Sequence, residues 1–153
     1  MGDSKYCSRI DYFYLIKQYK FRQTGALTGL PEITDGDSIR LGESRVRLHG
    51  IDAPELHQLC KKNGKQWQCG MESKKALEKI IGKGSIYCNK RDIDRYGRII
   101  AVCSVGSVNV NVWMIANGWA VAYRRYSQDY IRYEQEARVF NRGLWSSEFL
   151  MPW

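Results

Sequence analysis

The alternation of apolar and polar residues around residue 43 constrains this chain most. Ile39-Arg40-Leu41 and Arg45 to Ile51 alternate on either side of Gly42-Glu43-Ser44, which predicts a β-hairpin. In the second strand Val46 and Leu48 then point to one side and Arg47 and His49 to the other, which frees Arg47 for solvent or phosphate. Pro54 ends the strand, and residues 56–69 read as a Lys-rich loop. The period then changes. Met71 to Ile81 predicts a helix with Ala76, Leu77, Ile80 and Ile81 on one face, closed near Gly82. Ser85 to Asn89 and Arg98 to Val105 read as strands around an Asp94–Gly97 turn. Val108 to Asn117 reads as a second helix, inward through Val112, Ile115 and Ala116 and ended by Gly118. Trp119 to Tyr123 is a short extended run. Gln128 to Asn141 is a third helix, striped by Tyr130, Tyr133, Ala137 and Phe140 and ended by Gly143. Strands, one helix, two strands and two helices in that order indicate an α+β fold.

Three short islands carry chemistry. They are Asp35-Gly36-Asp37-Ser38, Arg47 through Asp52-Ala53-Pro54-Glu55, and Asp94-Arg95-Tyr96-Gly97-Arg98. Asp37 and Asp52 are hard oxygen donors suited to Ca²⁺ or Mg²⁺ rather than zinc. Two carboxylates brought together repel unless a cation neutralises them. Glu55 is a carboxylate able to orient or deprotonate a water, and Arg47 and Arg98 are planar forks for phosphate oxygens. Each has a plainer reading. Asp37 and Asp52 also suit turns, Glu55 a solvated surface, and Arg98 a hairpin edge. Tyr123-Arg124-Arg125-Tyr126, with Tyr96, interleaves aromatic and basic groups as single-strand binding does, although aromatics more often fill cores.

In order and spacing, these islands resemble the staphylococcal-nuclease-like (thermonuclease) family, from about Gly29 to Phe149. The family pattern is Asp-Gly-Asp-Thr, then Arg before a hydrophobic run ending in Asp-Thr/Ala-Pro-Glu, then Asp-Lys/Arg-Tyr-Gly-Arg. Ser38 replaces the usual Thr and keeps its hydroxyl. Ala53 stands where the best-known member has Thr. The resemblance implies a five-stranded OB-type β-barrel with three α-helices. It implies Ca²⁺, with Mg²⁺ second, held by Asp37, Asp52 and the carbonyl of Ala53. It assigns Glu55 as general base and Arg47 and Arg98 as phosphate ligands. The implied activity is hydrolysis of DNA and RNA in single-stranded or flexible regions, leaving 3′-phosphates. A catalytically silent binding module with the same fold is the alternative reading, and an interaction domain of a secretion or polysaccharide system a third.

Composition bounds the rest. A chain of 153 residues suits one domain that buries roughly 70% of its unfolded surface. With 24 Lys and Arg against 16 Asp and Glu, the net charge is +8, which favours polyanionic partners without requiring them. Residues 1–28 read as an N-terminal appendage and 29–153 as the domain, acting as a monomer. Five cysteines complete no zinc pattern with His49 and His57. Two pairings suggest themselves. Cys60 and Cys69 bracket a turn-rich segment, and Cys88 and Cys103 lie symmetrically about the Arg95-Tyr96 turn. Bacterial members of the family look similar at these positions. The alternative is that all are reduced and buried. Cys7 is left over. Disulfides would imply a secreted or periplasmic location. The longest early apolar run, Tyr12 to Ile16, is too short for a signal-peptide core, and no stretch approaches a membrane span.

Overall fold

In the computed structural model, residues 25–152 are described. Cys7 and most of the expected appendage lie outside them. Two strands open the fold, β1 (Ala26–Gly29) and β2 (Glu32–Asp35). Between them stand Leu30 and Pro31, and proline has no N–H to give to a ladder. The expected hairpin follows as β3 (Ser38–Leu41) and β4 (Ser44–Leu48), with Ile39 opposite Val46. The chain breaks at Gly50, whose φ is 71°, before β5 (Ile51–Asp52). Then come β6 (Cys60–Lys62), β7 (Lys65–Trp67), α1 (Cys69–Ile81), β8 (Ile86–Ile93) and β9 (Ile99–Val105). The last elements are β10 (Val108–Asn109), α2 (Val110–Ala116), β11 (Val121–Ala122), α3 (Ile131–Val139) and a 3₁₀ turn at Gly143–Ser146.

The main sheet runs β1-β8-β9-β4-β3-β2, with β10 added to β9. Among the described strand pairs, only β4 and β9 are parallel. The two ends of this path, β1 and β2, are neighbours in sequence. One stretch of chain therefore pairs with β8 through its first half and with β3 through its second, and the sheet has to curl. With β1 and β2 taken as one interrupted strand, the described residues form a five-stranded OB-type α+β fold with three α-helices. Because Ala26, Leu27 and Thr28 pair with Asn89, Cys88 and Tyr87, the sheet begins inside the segment expected as an appendage. Apolar side chains of the curled face, among them Val46, Leu48, Ile86 and Ala101, meet Leu77 of α1 and Met114 and Ile115 of α2 in one core.

Several elements differ from the expectation, each for a local reason. Residues 56–69 are not a structureless loop. Asn63 (φ 53°) and Gly64 (φ 76°) make the tight turn of a hairpin that pairs Lys62 with Lys65, and an Asn-Gly pair is the residue choice such turns require. In α2 the buried residues are Val110, Asn111, Met114 and Ile115; Val112 and Ala116 are only half-buried. The helix starts later than expected because Asn109 caps it, accepting from the Val112 N–H at 3.0 Å. In α3 the stripe keeps Tyr130 and Ala137 but not Phe140, which is 64% exposed. The helix ends at Val139, and Asn141 with φ 50° turns the chain away. The inward position is taken instead by Glu134.

Both expected disulfides are present, Cys60–Cys69 and Cys88–Cys103. The second joins residues directly opposite each other on β8 and β9 and lies in the main core, whereas the first anchors a small cluster with Leu144, Trp67 and Phe149. Replacing both Cys88 and Cys103 by Ala is expected to lower the unfolding free energy by about 3 kcal/mol, as read from urea denaturation. A loss below ~1 kcal/mol would mean that the core holds the β8–β9 register without the crosslink.

Candidate active site

The turns of the curled sheet gather the acidic residues. Gly36 and Asp37 connect β2 to β3, with Asp35 opposite Ser38. Register then sets Ser38 opposite Arg47 on β4, so Asp37 meets Arg47. Beyond the break at Gly50, β5 carries Asp52. The Arg47 guanidinium lies between the two carboxylates, with Nη1 2.9 Å from Asp37 Oδ1 and Nη2 3.1 Å from Asp52 Oδ1. Asp37 is buried and fully engaged. Its Oδ1 also accepts from Ser38 Oγ at 2.8 Å, and its Oδ2 accepts from the Ala53 N–H at 2.7 Å. Asp35 closes the turn, its Oδ1 accepting from the Asp37 N–H at 3.0 Å.

The electrostatics follow from this packing. Burial pushes Asp37 up, but Arg47 and the Ala53 and Ser38 donors reverse it and hold the carboxyl below its ordinary value. Asp52 is pushed up to about 6 by burial and then by the Asp37 charge, against the pull of Arg47. Asp35 is pushed up to about 7 by burial and then by Asp37, with Glu55 adding to the repulsion. Arg47, facing both carboxylates, is raised despite its own burial. Two carboxylates therefore share one guanidinium, with Asp35 beside Asp37 adding a third negative charge. Among the described residues, no three His, Cys, Asp or Glu side chains are grouped to hold an ion by themselves. What fits a hard divalent cation here is the donor chemistry, two carboxylates and a backbone carbonyl, together with the excess of negative charge over Arg47.

The other expected residues form satellites. Glu55 is exposed, close enough to Asp35 to perturb it. Arg98 pairs through Nε with Asp94 Oδ2 at 2.7 Å, and its guanidinium lies 5.6 Å from the centre of the Tyr96 ring. Asp94 organises the whole turn by accepting from the Tyr96 and Arg98 N–H groups, each at 2.9 Å, and these bonds and Arg98 hold its carboxyl below the ordinary value against burial. The turn is tied to β4 by Arg45, which donates to the Tyr96 carbonyl. Arg98 stands two residues before Ile100, the register partner of Arg47. Tyr123 and Tyr126 form a third group, ring centres 4.9 Å apart, anchored where the Tyr123 N–H donates to the Gly50 carbonyl at 2.9 Å. Arg125 is exposed beside them.

Arg124 has a different setting from the one expected. Its Nη2 lies 2.6 Å from Oε2 of Glu134, which is buried and also accepts from the Ala122 N–H at 3.0 Å. Arg124 is thus the counter-charge that lets α3 bury a carboxylate against β11. Glu134 itself was invisible to periodicity, because a helix stripe predicts apolar residues at inward positions. Asp35 is a member of the cluster that the motif pattern leaves without a role, and its place two residues before Asp37 across a tight turn is the available signal.

A curled OB-type sheet with an arginine-braced aspartate cluster at its turns defines the class of domain. Residues 45–147 match the family described as staphylococcal nuclease homologue, and the chain belongs to that family. The matched residues include Arg47, Asp52, Ala53, Glu55 and Arg98, while Asp35 and Asp37 precede them. Similarity extends to a protein of Oryza sativa subsp. japonica named a probable staphylococcal-like nuclease, 34% identical over 113 residues that make up 72% of this chain and 28% of that one. The succinoglycan biosynthesis protein ExoI of Rhizobium meliloti is 32% identical over 126 residues, 80% of this chain and 66% of its own. An uncharacterized endonuclease of Escherichia coli is 33% identical over 129 residues, 79% and 78% of the two chains. The chain thus spans less than two thirds of the rice and Rhizobium proteins.

Two outcomes follow from these contacts. Asp35 and Asp52 bind protons more tightly in the folded than in the unfolded chain, so their contribution to stability is full below the ordinary Asp range and is lost as pH rises through about 6 and 7. In chelator, the melting temperature should therefore rise when pH is lowered from roughly 7.5 to 5.5, and Asp35→Asn should flatten that rise. A melting temperature that falls over this interval would contradict the assignment. Arg124→Ala leaves the buried Glu134 with the Ala122 N–H and, as counter-charge, the more distant Arg138 at 4.0 Å, and is expected to destabilise by about 2 kcal/mol in denaturant titration.

Proposed function

We propose that this chain is a Ca²⁺-dependent phosphodiesterase that hydrolyses DNA and RNA in single-stranded or flexible regions and leaves 3′-phosphate ends. The observation that carries this reading is the clamp of Arg47 between Asp37 and Asp52, buried and still short of positive charge. Nuclease names among the relatives support the same reaction class.

Asp37, Asp52 and the carbonyl of Ala53 would hold the cation. When bound, Ca²⁺ supplies positive charge that neutralises a phosphate oxygen and tightens electrostatic contacts in the site. With the carboxylates so balanced, Arg47 is available to phosphate. Arg98 meets Asp94 through Nε, which leaves its two Nη groups for a second phosphate oxygen. Both guanidiniums then stabilise charge on the equatorial oxygens as attack proceeds. Glu55, exposed at the rim, takes the proton of the attacking water. The P–O5′ bond breaks in line with that attack, the leaving 5′ oxygen takes a proton from solvent, and the phosphate stays on the 3′ end. Tyr96, Tyr123 and Tyr126 offer rings for bases and sugars, and Arg125 a phosphate contact. The two disulfides support an oxidising compartment, outside the cytoplasm or in a periplasm.

A short labelled oligonucleotide, digested with Ca²⁺ or with EGTA and analysed for its product ends, tests this directly. Asp37→Ala should abolish Ca²⁺-dependent cleavage. Glu55→Gln and Arg98→Lys should each lower kcat by on the order of 10²-fold, while binding of an uncleaved strand changes far less. Wild-type turnover in all three variants would sink the active site proposed here. Tight strand binding without turnover under any divalent ion would make the chain a silent binding module instead.

A further inference from the structure

Helix α1 touches both halves of the site on one face. At Gly70 an added β-carbon would stand 1.8 Å from the Glu55 carbonyl oxygen and 2.7 Å from that of Leu56. The start of the helix therefore rests directly on the backbone that carries Glu55. One turn later, Ser73 stands against the other half. A β-carbon at Gly36 would meet Ser73 Oγ at 2.0 Å and Ala53 Cβ at 2.8 Å. Ser73 is buried, its hydroxyl donating to the Trp119 carbonyl at 2.7 Å.

The contact at Gly70 is closed from both sides. Cys69, its neighbour, is crosslinked to Cys60. The Gln58 N–H donates to the Glu55 carbonyl at 2.9 Å, and the Gly70 N–H donates to the Gln58 carbonyl at 3.2 Å. The Glu55 side chain is exposed and makes no hydrogen bond or ion pair among the described residues. No side-chain hydrogen bond or ion pair among the described residues fixes its carboxylate, which is therefore only as well ordered as the chain beneath it.

We propose that Gly70 and the Cys60–Cys69 disulfide form a positioning device for Glu55. The disulfide pins the start of α1, Gly70 lets that start lie flush on the Glu55 backbone, and the Gly36–Ser73 contact sets the same helix against the Asp37 turn. Catalysis depends on this seam, and substrate binding does not. The proposal rests on the reading of Glu55 as the base.

A double-mutant cycle tests it. In Ca²⁺, Gly70→Ala and, separately, Cys60→Ala with Cys69→Ala should each lower kcat by roughly 10- to 100-fold, the scale of a displaced catalytic group. The dissociation constant for a strand made uncleavable by methylphosphonate linkages should stay within about twofold, as expected when only a transition-state interaction is lost. In the Glu55→Gln background neither change should lower kcat further, because a device that acts only through Glu55 has nothing left to position. The proposal is overturned if the losses multiply in that background, if affinity falls in step with kcat, or if neither variant affects kcat. Failure of both variants to fold, by far-UV circular dichroism, would overturn it as well, since the seam would then support the whole domain. Full turnover in Glu55→Gln alone would instead dispose of the base assignment on which the proposal stands.

Discussion

Arg47 held between Asp37 and Asp52 is the contact on which the rest of this structure turns. A buried carboxylate survives only if it is paired and hydrogen-bonded. Asp37 meets that condition through Arg47, the Ser38 hydroxyl and the Ala53 N–H. Each partner comes from a different part of the chain. Ser38 opens β3, Arg47 sits on β4, and Ala53 follows β5. The ion pair thus joins the β2–β3 turn to the β4–β5 corner, which the β3–β4 register makes neighbours.

The same cluster sets two opposed fields. The chain as a whole is strongly basic, with a net charge of +8, and a field of that sign draws polyanions toward the surface. The site itself is acidic, with Asp35, Asp37 and Asp52 against Arg47. Left alone it would repel a phosphate. A hard cation, as proposed for this site, would reconcile the two fields, because it would neutralise the carboxylates and present positive charge to a phosphate at once. The arginines on the flanking strands fit the same logic. Arg98 is oriented by Asp94 and Arg45 is tied to the Tyr96 carbonyl, so the Tyr96 turn is braced by ion pairs and hydrogen bonds.

Much of this was legible because local chemistry and tertiary contact agree. The β3–β4 hairpin, the position of Arg47 and the Cys88–Cys103 pairing all follow from period-two alternation and turn spacing. The β6–β7 hairpin was equally legible in Asn63-Gly64, yet the lysines around it suggest solvent and conceal it. Phe140 falls outside the expected stripe for a different reason. Reading a helix by its apolar stripe assumes that the inward face is apolar, and α3 instead buries Glu134 and leaves Phe140 outside. That exchange depends on β11 offering an Ala122 N–H and on Arg124 reaching over from the next residues.

By itself the sequence determined the β3–β4 hairpin, the order of the three helices and the residue types of the site, and it suggested the two cysteine pairs, since these depend on spacing along short stretches of chain. Only the tertiary structure decided how the islands meet. It brought Asp35 into the acidic cluster, took Arg124 to a buried carboxylate, and set the start of α1 flush against Glu55. The reason is physical. Backbone close approach at Gly70 and Gly36, the sharing of one guanidinium by two carboxylates and the desolvation of Asp37 and Glu134 are properties of surfaces brought together from distant parts of the chain, and no local pattern encodes them.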